Sequence, residues 1–394
     1  MNQKWQQCEW GDIATLEYGK SLRDYRAQQG RYRVYGTNGP IGWHDKALCT
    51  HPGIVVGRKG AYRGIHYSPE PFFVIDTAFY LEPKQAFDLR WAYYCLLTYD
   101  INNMDSGSAI PSTSRESFYQ LPVLLPSLPE QKAIAAVLSS LDDKIELLRR
   151  QNETLEKIAQ AIFKEWFVEF NFPDKNGKPY KASGGKMTDS ELGRIPAGWR
   201  VGPIGDSVKC VGGSTPSTKN PDFWNGGAIP FLTPKDLSQL SVPVVMGAER
   251  CVNELGASQI SSGVLPADTI VMSSRAPIGY LAVATIPLVI NQGIIGMICN
   301  GAFPQSYVYG WVQQNMRRIK ASAGGSTFDE INKSSFRALN AVVPDTHVLL
   351  EHATITKPLT LKLATNARQT AILAKLRDSL LPKLMSGEIR VGVA

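Results

Sequence analysis

One stretch of the chain, from Leu128 to Phe170, carries apolar residues at two positions of a repeating seven-residue pattern. Such a pattern is typical of a helix that packs along a narrow seam against a partner helix. Ser127 and Glu130 match the S-x-x-E capping box, which predicts where the helix begins. The first seam position holds Ile134, Leu141, Leu148, Leu155 and Ile162, and the second holds Leu138, Ile145, Asn152, Ala159 and Trp166.

The length of this pattern favours a spacer helix. About 43 residues would span about 65 Å, which is longer than helices in compact domains usually are. A long core helix of one large domain is the alternative. Asn152 interrupts the apolar seam, which costs stability but can fix the register and the number of partner helices.

The chain also repeats itself. Trp5 to Leu22 aligns without gaps on Trp199 to Pro216, so that Gly19 falls on Gly213. Further along, Ser117-Phe118 and Pro126 match Ser335-Phe336 and Pro344, and the same spacing carries the heptad helix onto the C-terminal region. This predicts a tandem duplication in which each globular segment is followed by a long helix.

The second helix has a less regular seam. Its predicted apolar seam residues are Leu359, Leu363, Leu373, Leu380 and Leu384. Asn366, Thr370 and Arg377 are polar departures from this seam. We expect Pro358 to kink or delay the helix and Pro382 to mark its last turn.

Both globular segments are predicted to be mixed α+β. Short β-branched and aromatic runs bounded by glycine indicate strands, and longer runs indicate helices. The predicted strands are Gly53–Val56, Phe72–Ile75, Thr269–Met272 and Leu288–Ile290, and the predicted helices are Arg90–Tyr99 and Tyr307–Ile319. The connector from Asn171 to Trp199 is rich in Pro, Gly, Lys and Ser, so we expect a linker and not a core element.

These patterns give an order of domains along the chain. The predicted divisions are a globular segment 1–126, a spacer helix 127–170, a connector 171–195, a second globular segment 196–344, and a C-terminal helix and tail 345–394. If the two helices pair antiparallel, the globular segments lie at opposite ends of a rod and are related by a pseudo-twofold axis. Duplex DNA is a partner that matches such symmetry.

Composition narrows the class of protein only slightly. The six cysteines are scattered without a C-x-x-C pair, which argues against a zinc module or a disulfide framework and fits a reducing cytoplasm. The N-terminus lacks the apolar core of a signal peptide. The uncharged stretch 276–316 is broken by Pro and Gly, so it is interpreted as buried strands and turns. The net charge of +7 is a modest indication of a polyanionic partner.

No catalytic constellation stands out. Asn220 to Phe223 imitates the N-P-P-F tetrad of amino-methyltransferases but lacks the second proline. Asp76 with Glu82-Pro83-Lys84 imitates a nuclease triad, yet Pro83 would disrupt the strand that presents it. There is no phosphate-binding loop for a nucleotide, and the five histidines lack metal-ligand spacing. The pattern therefore indicates a binding protein with no metal site.

The candidate binding residues are basic, aromatic and amide side chains in predicted loops. Arg and Lys can neutralise phosphate or contact guanine edges, and Asn can pair with adenine. Ordinary solvated surface charge is the alternative for any single residue. The candidates are Lys20, Arg23, Tyr35, Asn38, Arg58, Lys59, Tyr62 and Arg63 in the first segment, and Lys235, Ser274, Arg275 and Thr327 in the second.

Three segments together resemble the specificity subunits of type I restriction-modification systems. They are NETLEKIAQAIFKEWFVEF (152–170), SGGKMTDSELGRIPAGW (183–199) and LRDSLLPKLMSGEIRV (376–391). The resemblance implies two target-recognition domains, each contacting one half of a bipartite DNA site. It also implies an antiparallel coiled coil, made by Leu128–Phe170 and about Thr346–Leu384, that sets the spacing.

The resemblance further implies the partners. Two methyltransferase (modification) subunits would dock on the coiled coil, and restriction subunits would complete an endonuclease used in phage defence. S-adenosylmethionine, ATP and Mg²⁺ would be bound by those partners, and no cofactor by this chain. Two alternatives stay open from the residues alone: a coiled-coil adaptor with duplicated protein-binding domains, and a self-contained restriction enzyme.

Overall fold

The computed structural model describes residues 5–25, 29–104, 110–275, 277–324 and 329–392. The chain divides into two compact units. Unit 1 comprises Met1–Glu146 together with Ile372–Ala394, and unit 2 comprises Leu147–Ala371. Unit 1 is thus assembled from two separate parts of the sequence, whereas unit 2 is continuous.

The helices and strands are numbered here in chain order. The helices are α1 (Trp10–Ile13), α2 (Leu89–Leu96), α3 (Arg115–Tyr119), α4 (Leu128–Phe167), α5 (Pro234–Ser238), α6 (Glu254–Ser258), α7 (Gln305–Gln314), α8 (Met316–Ala321), α9 (Lys333–Arg337) and α10 (Thr346–Met385). The strands are β1 (Gln6–Glu9), β2 (Ala14–Tyr18), β3 (Tyr32–Gly36), β4 (Gly39–His44), β5 (Gly53–Gly57), β6 (Ile65–Ser68), β7 (Phe72–Val74), β8 (Ala78–Pro83), β9 (Pro122–Leu125), β10 (Met187–Thr188), β11 (Ile195–Pro196), β12 (Arg200–Pro203), β13 (Lys209–Gly212), β14 (Ile229–Leu232), β15 (Val244–Val245), β16 (Arg250–Val252), β17 (Ile270–Ser273), β18 (Leu281–Ala284), β19 (Val289–Ile290), β20 (Ile294–Ile298) and β21 (Asn340–Val343). Short 3-10 turns lie at Ile101–Asn103, Ile204–Asp206 and Pro221–Phe223.

Unit 1 is built on two small sheets and a strand pair. One sheet has the order β2-β8-β5-β6 with antiparallel neighbours, the other has the order β4-β3-β7, and β1 pairs with β9. β5 (Gly-Ile-Val-Val-Gly) is buried at every residue, as expected for a central strand of β-branched residues covered on both faces. Trp10, Trp91 and Phe118 pack together in the core beside this sheet.

Unit 2 repeats the same strand layout. The order β13-β20-β17-β18 corresponds to β2-β8-β5-β6, β16-β14-β19 corresponds to β4-β3-β7, and β12 pairs with β21 as β1 pairs with β9. The short strand β15 is an addition that pairs in parallel with β18. The duplication that the sequence predicted is therefore present element by element, and it includes the predicted strands in Gly53–Val56, Phe72–Ile75, Thr269–Met272 and Leu288–Ile290.

Two long helices complete the units, and each is 40 residues long. In unit 1, Arg377 bonds Asp142 and Arg390 bonds Glu130, so the two helical segments run antiparallel there. In unit 2, Asn366 bonds Asn152, while His352 packs near Trp166, so the segments of that unit are antiparallel too.

The seam residues predicted from the heptads are all buried or partly buried. The buried members are Ile134, Leu138, Leu148, Asn152, Trp166, Leu363 and Leu384, each at most 7% exposed. The others, partly buried, are Leu141, Ile145, Leu155, Ala159, Ile162, Leu359, Leu373 and Leu380.

Three local expectations are corrected. The Glu130 carboxylate, assigned to a capping box, accepts hydrogen bonds from Trp5 Nε1 at 2.8 Å and from Arg390 Nε at 2.6 Å. Helix α10 begins at Thr346 and runs through Pro358, so that proline does not delay it. The connector does contribute to a core, because Phe172 and Ile195 are buried in unit 2 and Phe172 stacks on Trp199 at 5.0 Å.

The uncharged stretch 276–316 contains β18, β19, β20 and α7, as the pattern of strands and turns predicted, together with a helix. Across the described residues, no helix is both long and apolar enough to cross a membrane.

Candidate nucleic-acid interface

In unit 1, two loops meet and bring several predicted binding residues together. The turn Thr37-Asn38 joins β3 to β4, and the Thr37 carbonyl accepts a hydrogen bond from the Gly64 amide at 2.9 Å. A Cβ at Gly57 would lie 2.2 Å from that same carbonyl oxygen, so glycine is needed for this close approach. Exposed Asn38 therefore lies against the loop of residues 58–64.

Two arginines stack on one tyrosine beside this loop. The Arg58 guanidinium lies 4.7 Å from the Tyr18 ring centroid, and that of Arg115 lies 5.1 Å from it. Arg58 also donates to the Asp76 carbonyl at 3.0 Å. Guanidinium groups held over an aromatic face are fixed in direction while their remaining N–H groups stay available to a ligand.

The loop after β5 presents two further side chains to solvent. Lys59 is exposed, and Tyr62 is 81% exposed, the highest value among the large apolar and aromatic side chains described as exposed. An aromatic ring left in water offers a face on which a nucleobase or a sugar can stack. Arg58, Lys59, Tyr62 and Asn38, with Tyr18 and Arg115, form what we term the unit 1 cluster.

Arg63 supports that loop from the protein interior and does not belong to its exposed surface. It is 4% exposed, and its guanidinium donates to the carbonyls of Gly60, Ile101 and Asn102. Its own backbone amide donates to the Asn102 side chain at 2.8 Å. These bonds hold the loop in place beneath Tyr62.

Tyr35 is also absent from the surface. It is 6% exposed and packs against Phe72 with ring centroids 5.7 Å apart. We therefore leave Tyr35 and Arg63 out of the set of candidate DNA-contacting residues. Lys20 and Arg23 are exposed after β2, and the Lys20 backbone is tied to Val74 at 2.9 Å.

A partly buried histidine, His66, lies behind the Asn38 turn. Burial lowers the pKa of His66. Its Nε2 and the Thr37 hydroxyl are buried without a hydrogen-bond partner among the described residues. A Cβ at Gly64 would come within 2.5 Å of His66 Nε2 and 2.8 Å of Asn38 Oδ1, so a side chain at Gly64 would displace both groups.

In unit 2 the predicted cations carry carboxylate partners. Lys235 Nζ lies 2.6 Å from Glu249 Oε2, which raises the lysine pKa, and Arg275 lies 3.7 Å from Glu330. Ser274 is 3% exposed, and its backbone pairs with Gly293 and Ile331, so we leave it out of the set of candidate DNA-contacting residues as well. Thr327 lies outside the described residues.

The structure adds residues that the sequence did not single out. Arg115 joins the unit 1 cluster from α3, and in unit 2 Arg250 lies 3.6 Å from the Trp224 ring centroid. Trp224 follows the turn Pro221–Phe223, which the Asn220 side chain caps. In the sequence Arg115 lies three residues before Phe118, whereas no aromatic residue neighbours Arg250, and the stacking partners Tyr18 and Trp224 are both distant along the chain.

The catalytic look-alikes serve local structure. Asn220 accepts a hydrogen bond from the Asp222 amide, as expected of an N-cap. Glu82 and Pro83 are the last residues of β8, where a proline at a strand end is tolerated. Among the described residues, no group of His, Cys, Asp and Glu is arranged to hold a metal ion.

Known proteins share this organisation. A family model described as the type I restriction modification DNA specificity domain matches residues 2–157 and again 196–373. The type I restriction enzyme MjaIX specificity subunit of Methanocaldococcus jannaschii is 28% identical over 319 residues, which cover 78% of this chain and 71% of that protein. The HindI specificity subunit of Haemophilus influenzae is 24% identical over 335 residues, 72% of each chain.

A solved structure has the same fold. The crystal structure of a type I restriction-modification S subunit from M. genitalium gives a TM-score of 0.67 at 19% identity, covering 98% of this chain and 96% of that one. Since the family model matches most of the chain, the chain belongs to the type I restriction-modification DNA specificity family. The resemblance stated from the sequence is confirmed.

This membership decides between the functions left open above. The curated relatives are specificity subunits, so the chain has a DNA-recognition role within a type I system and no catalytic role of its own. The adaptor and the self-contained restriction enzyme are thereby disfavoured.

Proposed function

We propose that this chain recognises a bipartite duplex DNA target, with unit 1 contacting one half-site and unit 2 the other. The observation that carries the proposal is the repeated strand layout, which places Arg58 and Lys59 directly after β5 and Arg275 two residues after β17. Cations at these positions can neutralise phosphates and donate to base edges.

The two sets of side chains differ, which supports two different half-sites. Unit 1 presents Asn38, Lys59 and an exposed Tyr62, whereas unit 2 presents Lys235, Arg275 and the Arg250–Trp224 pair. A shared framework with different side chains at its loops is what recognition of two unlike sequences requires.

The helices are the proposed docking site for the rest of the complex. Family membership implies DNA and other subunits of a type I complex as partners. We further propose two methyltransferase subunits on the helical segments, with restriction subunits joining them. S-adenosylmethionine, ATP and Mg²⁺ would be bound by those partners, and the complex would work in the cytoplasm.

Co-purification with the methyltransferase subunit encoded beside this chain tests the proposal. Methylated bases would then be mapped across a host genome that expresses the pair. We expect one motif with two specified halves and a fixed unspecified gap. A single continuous motif would contradict recognition by two units, and a stable complex without methylation would favour the adaptor function.

A second experiment tests the spacer role of the helices. Inserting or deleting one helical turn in α4 should change the unspecified gap while both half-sites stay the same. The expected spacing of recognition is about one DNA turn, roughly 34–36 Å. A changed half-site with an unchanged gap would contradict the spacer role.

A further inference from the structure

Unit 2 carries a carboxylate where unit 1 carries a hydroxyl, at structurally equivalent places. In unit 1 the Arg58 carbonyl accepts from the Thr113 amide at 2.8 Å, and Lys59 forms a backbone bridge with Ser112. In unit 2 the Ser274 carbonyl accepts from the Ile331 amide at 3.0 Å, and Arg275 forms the same bridge with Glu330. Arg275 therefore occupies the position of Lys59, and Glu330 that of Ser112.

The position of Glu330 is fixed by its backbone. Its amide and its carbonyl both exchange hydrogen bonds with Gly324 at 3.1 Å, in addition to the bridge with Arg275. Its carboxylate lies 3.7 Å from the Arg275 guanidinium, and both side chains are about two-fifths exposed, 42% and 39%. The carboxylate thus remains near the DNA-facing cation whether or not the ion pair is intact.

The residues packed around Arg275 limit the positions that its guanidinium can adopt. A Cβ at Gly293 would lie 3.5 Å from Arg275 Nε and 2.9 Å from Pro234, so the guanidinium is packed beside the start of α5. Lys235, the next residue in that helix, is held by Glu249 at 2.6 Å. Each of the two predicted cations of unit 2 is therefore matched by one carboxylate.

From this arrangement we propose that Glu330 is a specificity-determining residue of unit 2. A fixed carboxylate beside Arg275 repels backbone phosphates, which are present on every sequence, and competes with them for the guanidinium. A guanine edge presents O6 and N7 acceptors without a full negative charge, so it can bind Arg275 with less repulsion from Glu330. The carboxylate therefore weakens non-specific binding more than it weakens binding to the correct half-site.

Unit 1 has no carboxylate at the equivalent place, because Ser112 is neutral. We infer that unit 1 contributes more of the salt-dependent affinity and that unit 2 contributes discrimination. This inference rests on the proposed function, since it assigns different tasks to the two recognition units.

The test uses the full chain in complex with its methyltransferase subunit. A pool of duplexes with randomised base pairs is first selected on the wild-type complex to define both half-sites. Binding is then measured for the selected duplex and for duplexes with one half-site scrambled. The variants are Glu330→Gln, which keeps the shape, and Glu330→Ser, which copies unit 1, and Glu254→Gln serves as a charge-matched control on an exposed position of unit 2.

For both Glu330 variants we expect binding to the duplex with the unit 2 half-site scrambled to rise about three- to fivefold at low salt, since exposed charges act modestly. Binding to the selected duplex should rise less, so the ratio between the two should fall. If Arg275 gains a phosphate contact, the slope of log affinity against log salt becomes more negative by about one. The Lys59→Ala variant identifies the unit 1 half-site, because binding to that half-site is the binding it impairs. Discrimination at the unit 1 half-site should be unchanged in both Glu330 variants.

Three results would overturn the inference. Unchanged discrimination in both Glu330 variants would show that the carboxylate has no such role. An equal rise on all duplexes, matched by Glu254→Gln, would show a general effect of removing negative charge. A wild-type complex that selects no sequence from the pool would refute the proposed function itself, and this result is distinguishable because it precedes any variant.

Discussion

At the scale of single residues, solvent exposure distinguishes surface side chains from supporting side chains that look alike in the sequence. Tyr62 and Arg63 are neighbours in one basic-aromatic run, yet Tyr62 is 81% exposed and Arg63 only 4%. Arg63 donates to the carbonyls of Ile101 and Asn102, which lie far along the chain. Nothing in the local sequence pattern predicts these contacts. Sequence reasoning could find the loop but could not assign its residues to surface or support.

This contrast gives a prediction for neighbouring substitutions. Tyr62→Ala should lower DNA affinity while changing the free energy of unfolding by less than about 0.5 kcal/mol, because the ring has few contacts to lose. Arg63→Ala should reduce the free energy of unfolding by roughly 2–3 kcal/mol, since buried carbonyls lose a charged donor. Urea denaturation and DNA titration of both variants measure the two effects. Similar destabilisation in both would refute the assignment.

A second residue-scale prediction concerns His352. Burial lowers its pKa to about 4, from an unfolded value near 6.5. The groups around it are the rings of Phe163, Trp166 and Phe167 and the Ser306 hydroxyl, which is 3.3 Å from Nδ1. Because burial among these rings removes water from the imidazolium, the folded state favours the neutral ring.

The sign of the pH effect follows from these values. Below pH 6.5 the unfolded chain binds a proton that the folded chain does not, so stability falls as the pH is lowered from 6.5 to about 4, by at most about 3 kcal/mol. Urea midpoints measured across this range should fall less steeply for His352→Gln than for wild type. His347→Gln, at an exposed position of the same helix, should keep the wild-type slope. An unaltered slope in His352→Gln would argue against this origin.

At the scale of elements, hydrophobic period and repeat predicted most of the fold. The repeat spacing predicted a second long helix within residues 345–394, and the structure has α10 over Thr346–Met385 as the copy of α4 over Leu128–Phe167. The predictions that failed were those based on local sequence rules, at positions where contacts with distant residues form instead. Glu130 fits a capping box by spacing, but Trp5 and Arg390 bind its carboxylate instead. Phe172 lies in a segment of linker composition, yet it stacks between Tyr180 and Trp199.

The polar pair in the helical seam of unit 2 allows a prediction at this scale. Asn366 Nδ2 donates to Asn152 Oδ1 at 3.0 Å, and both residues are at most 2% exposed. Either single change to leucine should destabilise by about 1–3 kcal/mol, because the other asparagine loses the hydrogen bond between the two buried side chains. The double variant Asn152→Leu with Asn366→Leu should recover much of that loss.

A double-mutant cycle by urea denaturation measures the coupling between the two asparagines. Additive losses would contradict a shared hydrogen bond. Recovery of stability accompanied by altered assembly of the complex would support the role of Asn152 in fixing register, which its place in the seam predicted.

At the scale of the whole molecule, unit 1 depends on a segment distant in sequence. Leu384 and Met385 belong to the same core as Ile134 and Leu138, and Arg390 bonds Glu130. The repeat predicted a helix at 345–394 but not that its last part would complete the first unit. Predicting this contribution to unit 1 requires knowing that the helical segments pair antiparallel, and the heptad pattern alone does not determine their direction.

Removal of residues 372–394 should therefore damage unit 1 selectively. Ile134 and Leu138 would lose core neighbours, and Glu130 would keep a poorly solvated charge without its arginine. Hydrogen exchange should show lost protection in β1 and the first part of α4, while unit 2 keeps its protection. Lys383→Ala, which removes only an exposed ion pair with Glu388, should leave exchange unchanged. Equal loss in both units would contradict this division.

The bond between Glu130 and Arg390 also has a consequence for synthesis on the ribosome. Residues 147–371, all of unit 2, emerge before the segment that completes unit 1, a delay on the order of 10–50 s at ordinary elongation rates. The unit that is started first is thus finished last. A nascent chain that ends before residue 372 would carry a complete unit 2 and an unfinished unit 1, so recognition of both proposed half-sites has to await synthesis of the segment that contains Arg390.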